Sequence, residues 1–185
     1  MLKGKQFIFI VIFSLSVIFI IGIDYKNRLT KNWLESISFT DILIRPGDLS
    51  DGFIPGTYSR IEPNPEYDRF VVQVIHEIQT DDHDRAGAVI VVLFVNNRDK
   101  ASYFSLLSQV ESQEGIIPYP IEGVGECDTC FTAFATDYSI NLGFTRCHAI
   151  GWITLDRHYE NNYSFSYLSE HIKQLDQRLQ PLVCK

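Results

Sequence analysis

The chain has 185 residues, 45% of them hydrophobic and 21% charged, which excludes wholesale disorder and fits one domain plus a separate apolar segment. Its formal charge is −7. Lys3 and Lys5 are the only charged side chains before Asp24, so the remainder holds 14 basic and 23 acidic groups, about −9. Such a surface repels polyphosphate, which removes nucleic acid from the expected partners.

The first element is FIFIVIFSLSVIFIIGI, 17 uncharged residues from Phe7 to Ile23. At about 1.5 Å per residue it reaches roughly 25 Å, enough for a thin hydrocarbon core. A cleaved signal peptide would end in small residues, but here the run passes straight into Ile21-Gly22-Ile23-Asp24. The expectation is a retained signal anchor in the bilayer over 7–23, after a short cytoplasmic segment, 1–6. The basic residues on its two flanks nearly balance, so four downstream cysteines argue for an extracytoplasmic domain, periplasmic or extracellular. Residues 24–45 read as a juxtamembrane connector, either a short helix near the membrane or a linker. Leu29, Trp33 and Ile37 recur in it at a spacing of four.

The domain proper is expected over 46–185. RPGDLSDGF, Arg45–Phe53, and the proline-bearing stretch to Tyr67 read as turns and loop. FVVQVIHEI (Phe70–Ile78) alternates as a strand with Phe70, Val72, Val74 and Ile78 on one face, and AVIVVLFV (Ala88–Val95) reads as a strand buried on both sides. Asn97–Gln113 switches to helical spacing, with Tyr103, Leu106, Leu107 and Val110 in one stripe. FTAFAT (Phe131–Thr136) and SINLGFT (Ser139–Thr145) form a hairpin, and AIGWITL (Ala149–Leu155) follows as a strand. The last helix aligns Phe165, Leu168, Ile172, Leu175 and Leu179, with Pro181 as its stop. The sum is an α+β domain: an antiparallel β-sheet flanked by helices.

The order DLSDGF, hairpin, amphipathic helix, VGE, then LGFTRC–AIGWITL and a terminal helix ending QRLQPL resembles bacterial extracytoplasmic domains of the PsbP-like α/β/α sandwich type. The resemblance covers about residues 41–183. In that pattern Ser50 stands where Pro is usual, Glu126 where Asp is usual, and Cys147-His148 at a turn that normally contains Gly. The resemblance implies a non-catalytic accessory subunit or binding module, associated with a membrane protein complex. It transfers no catalytic residue.

The chemically suggestive motif is Cys127-Asp128-Thr129-Cys130. The hairpin register puts Cys130 opposite about Thr145, and the last helix returns Cys184 toward Cys147, so the four cysteines and His148 are expected at one end of the sandwich. Two disulfides are the first reading, Cys147–Cys184 with Cys127–Cys130. A zinc-stabilised interaction domain would use Cys127, Cys130, Cys147 and either His148 or Cys184. A membrane-tethered thiol–disulfide oxidoreductase would use Cys127 and Cys130, although Glu126 and Asp128 would raise the thiol pKa. No cofactor is implied, and no other stretch assembles a catalytic constellation. His76, on the apolar face of its strand, reads as a satisfied core histidine. The acidic run Asp81–Asp84 reads as an exposed turn.

Overall fold

The computed structural model describes residues 20–40, 43–45, 48–49, 52–64, 69–111, 121–126, 131–135, 138–156, 158 and 165–184. Helix α1 spans 20–35. It is followed by β1 (Phe53–Ile61), β2 (Val72–Thr80), β3 (Arg85–Leu93), α2 (Asn97–Glu111), β4 (Phe131–Ala135), β5 (Ser139–Arg146), β6 (Ala149–Asp156) and α3 (Phe165–Val183). The six strands form one antiparallel sheet in the order β1-β2-β3-β6-β5-β4. The α+β class and the antiparallel sheet thus agree with the sequence.

Period-two alternation sorts side chains to the two faces. Val72, Val74 and Ile78 of β2, Val89 and Val91 of β3, Ile140, Leu142 and Phe144 of β5, and Ile153 and Leu155 of β6 share one core. Against them pack Leu168, Ile172, Leu175, Leu179 and Val183, the helical stripe of α3. The opposite face is smaller. There Val92, Phe94 and Ile150 meet Tyr103 and Phe104 of α2, with Phe70 and Ile90 alongside. Helix α2 starts with a reciprocal cap: Asn96 Oδ1 accepts from Asp99 N at 2.9 Å, and Asn96 Nδ2 donates to Asp99 Oδ2 at 2.8 Å.

Four expectations need correction. The stretch taken as loop contains an edge strand, β1. Pro55 sits at its bulge, where the register against β2 shifts between Pro55 and Tyr58, and an edge strand tolerates the missing donor. Phe70 precedes β2 and joins the α2-side cluster rather than sharing a face with Val72 and Val74. Part of the supposed connector is core: Leu34, Ile37, Phe39, Leu43 and Ile44 are all buried in the main cluster. Pro181 does not stop α3, which runs to Val183, and Cys184 N still donates to Gln180 O at 3.1 Å. Pro181 falls in the last turn, where one lost backbone bond is a smaller cost than giving up the buried Val183.

Helix α1 is reinforced by the i,i+4 pairs Asp24–Arg28 and Lys31–Glu35, at 3.0 and 3.6 Å. It ends in a tight turn in which Ser36 Oγ donates to Trp33 O at 2.6 Å. Among the described residues no helix is long and apolar enough to cross a membrane; residues 1–19, most of the apolar run, lie outside them.

Two glycines fix how β5 and β6 meet. Gly143 pairs with Trp152, and Phe144 pairs with Gly151. A Cβ on Gly143 would lie 2.1 Å from the Trp152 ring, and one on Gly151 would lie 2.4 Å from the Phe144 ring. Each aromatic therefore lies across its partner's bare Cα, one on each face. Gly151→Ala is expected to lower unfolding free energy by about 1–3 kcal/mol through overpacking. Gly22→Ala, at a helical position with open space around the new Cβ, should not lower it. Chemical denaturation of both variants checks the pair.

Candidate functional site

The polar groups of the domain converge where β5 turns into β6. Arg146 pairs with Ala149, leaving Cys147-His148 as a two-residue hairpin loop. Cys147 has φ 46°, the left-handed region that favours glycine. Three ties hold Cys147 there. Its Sγ is bonded to Cys184, with the two Cα atoms 5.3 Å apart. Its N–H donates to Glu126 Oε2 at 2.8 Å, and its carbonyl accepts from Lys100 Nζ. The Cys147–Cys184 pairing expected from strand and helix lengths is present, and it pins the end of α3 to the sheet.

Lys100, from the first turn of α2, is only 4% exposed. Its ammonium also donates to Glu126 Oε1, which takes a further bond from Thr145 Oγ1 at 3.1 Å. Burial alone would raise the Glu126 pKa. The hydrogen bonds from Lys100, Cys147 N–H and Thr145, with the Lys100 charge, outweigh it and hold the carboxyl below its ordinary value. On the other face Asp176 of α3, 2% exposed, accepts two bonds from Arg146 and one from Gly125 N at 3.0 Å. Arg146 falls on that face because it continues the alternation of Ile140, Leu142 and Phe144. Gly125 and Glu126, adjacent in sequence, thus bind the two faces of the sheet. A third ion pair, Arg178–Asp48, anchors the segment before β1 to α3, and Asp48 Oδ2 also accepts from Arg45 N at 2.7 Å.

Sequence reasoning missed Lys100 and Asp176. Their signal was a charged residue lying within a helical apolar stripe: Lys100 three and four residues before Tyr103 and Phe104, Asp176 four after Ile172. Charges at such positions are buried and must be paired.

Beside this turn, between α1 and the rim of the sheet, lies a cleft of about 750 Å³. Helix α1 contributes Ile23, Lys26, Asn27, Thr30 and Trp33; the opposite wall holds Asn96, Asn97, Glu126, His148 and the disulfide. His148 Nδ1 lies 2.9 Å from Phe94 O. A carbonyl only accepts, so Nδ1 carries the proton, and in the neutral ring Nε2 is an acceptor. The ring stands edge-on to Trp33, with centroids 5.7 Å apart.

With Cys147 and Cys184 joined as a disulfide, neither supplies a thiolate to a zinc set. Among the described residues no group of three or more His, Cys, Asp or Glu could hold a metal ion. Cys127 and Cys130 lie outside the described residues. His76 is buried on the α3 side of the sheet, but it is only half satisfied. Its ring has a hydrogen bond to the Gly56 backbone and an edge contact with Tyr58, while Nδ1 has no partner among the described residues. Asp81, Asp82 and Asp84 are in an exposed turn, with His83 at φ 66°.

The chain matches no protein-family model, no curated protein and no solved structure.

The disulfide closes a loop over a sequence separation of 37. In the chain-entropy model its loss removes about 3–4 kcal/mol, so denaturation midpoints with and without reductant should differ accordingly. The pH dependence has one sign. Burial holds His76 and His171 below the ordinary histidine value, and Glu126 and Asp48 are held below the ordinary carboxyl range. For all four the unfolded chain binds protons more readily, so stability is full above the unfolded pKa and lost on acidification. The first loss is expected as pH falls through about 6.5, the second below about 4.5. His76→Leu should shrink the first step and leave the second intact, read from denaturation midpoints across pH.

Proposed function

We propose that the chain is a membrane-anchored, extracytoplasmic accessory subunit or binding module, held by residues 7–23 and stabilised by its disulfide. The observation that carries this reading is the Cys147–Cys184 bond at the junction of sheet and terminal helix. A disulfide built into the core of the fold belongs to an oxidising compartment. In this chain it accompanies an uncharged run of 17 residues from Phe7 to Ile23. The start of α1 supports the anchor. Ile20, Ile21 and Ile23 are 64%, 61% and 46% exposed, apolar surface that a bilayer would cover.

The charged groups at the disulfide end support binding over catalysis. Lys100, Glu126, Arg146 and Asp176 are all spent on one another and on the backbone. The thiol–disulfide alternative at Cys127 and Cys130 would place Asp128, a carboxylate that disfavours a thiolate, directly after its first thiol. The motifs shared with PsbP-like accessory domains belong to the same proposal, and so does association with a membrane protein complex.

The full chain is expected to stay in the membrane pellet after carbonate washing. A reporter fused after Lys185 should be active only outside the cytoplasm, and Cys147 and Cys184 should resist alkylation until reductant is added. Recovery of the chain in the carbonate supernatant, or free thiols at both positions in cells, would sink the reading.

A further inference from the structure

We propose that the cleft between α1 and the disulfide end seats the headgroup of a membrane phospholipid, a phosphodiester whose outer substituent carries hydroxyl groups. The inference rests on the anchoring proposed above and adds a ligand to it.

The position of the cleft follows from helix geometry. If the hydrocarbon core ends near Ile23, the rise of about 1.5 Å per residue puts Lys26 and Asn27 roughly 4–6 Å beyond it, and Thr30 about 10 Å beyond it. The headgroup layer is about 5–8 Å deep on each side of a bilayer, so Lys26 and Asn27 stand at headgroup depth, with Thr30 just beyond it. Ile23 lines the same cleft, giving it an apolar lower rim that continues toward the acyl chains.

Its charge follows from pairing. Of the three bases on the described part of α1, Arg28 is bound to Asp24 and Lys31 to Glu35. Lys26 has no acid partner among the described residues. The carboxylate in the cleft, Glu126, is already matched by Lys100. Among the described residues the uncompensated charge of the cleft is therefore positive, on a domain that is otherwise acidic. That asymmetry selects an anionic oxygen group.

Its hydrogen-bonding capacity follows from what is unused. The side chains of Asn27, Thr30 and Asn97 line the cleft and make no hydrogen bond among the described residues. They and Lys26 supply donors for phosphate oxygens. His148 is fixed by Phe94 O as the Nδ1–H tautomer, so its Nε2 is an acceptor suited to a hydroxyl donor. A choline headgroup has no such donor; a glycerol headgroup has two hydroxyls.

The test uses the full chain in detergent micelles, titrated with phosphatidylglycerol or phosphatidylcholine. Native mass spectrometry should retain one phosphatidylglycerol and several-fold less phosphatidylcholine. A Lys26→Gln, Asn27→Ala double variant should weaken that retention about tenfold. Both side chains are exposed and unpartnered, so thiol protection of Cys147 and Cys184 should be unchanged and report an intact fold. The ¹⁵N resonances of His148 should move on adding phosphatidylglycerol. Equal lipid retention by wild type and variant, or an unmoved His148, overturns the lipid seat while carbonate-resistant membrane association leaves the anchor standing. Loss of that association would remove the anchor as well. Soluble glycerol phosphate is the third arm: if it shifts His148 as strongly as the lipid does, the ligand is a free phosphoester and the lipid assignment is overturned.

Discussion

The conformation of Cys147 constrains everything built around it. A non-glycine residue in the left-handed region costs about 1–2 kcal/mol, and the turn bears this because three partners converge on one residue. The Cys184 sulfur ties it to the end of α3, the Glu126 carboxylate takes its N–H, and the Lys100 ammonium takes its carbonyl. The disulfide alone, at about 3–4 kcal/mol, exceeds the backbone strain. Lys100 and Glu126 contribute by a different route. A lysine that is 4% exposed cannot be left unpaired without a heavy desolvation cost, so the pair specifies how α2 approaches the sheet more than it adds net stability.

From that turn the organisation spreads to both layers. Arg146, one residue before Cys147, reaches Asp176 on the α3 side; Thr145, one residue earlier, reaches Glu126 on the α2 side. The segment ending in Gly125-Glu126 closes both circuits, because Gly125 N–H binds Asp176 while Glu126 binds Lys100. One strand end and one dipeptide thus couple the layers, and the cross-strand pairs Gly143–Trp152 and Phe144–Gly151 keep their register. A slip of one residue would put two aromatic rings against Cβ atoms and move Arg146 away from Asp176.

The sequence was most readable where pattern and chemistry reinforced each other. SINLGFT and AIGWITL alternate cleanly, the stripe from Leu168 to Leu179 is helical, and element lengths alone brought Cys184 back to Cys147. Pro55 hid β1, because a proline in a strand signals loop unless the strand lies at an edge and bulges there. Residues Leu34 to Ile44 followed an apolar run and read as its connector, yet their apolar side chains fill the main core. Lys100 and Asp176 were the least legible members of the polar centre. A single charge in an apolar stripe reveals burial, but its partners, 26 and 30 residues away in sequence, are set by topology that spacing does not encode.

The unbroken path from α1 into the core has a mechanical consequence. Helix α1 continues to Glu35, stops within one turn, and immediately buries Leu34, Ile37 and Phe39. Among the described residues, only Glu35, Ser36 and Ser38 lie between these buried side chains. If the anchor proposed over 7–23 runs on into α1, the domain leans as its anchor leans. A thicker or thinner bilayer changes helix tilt to relieve hydrophobic mismatch. Here that tilt would swing the whole sheet and turn the mouth of the cleft toward or away from the lipid surface.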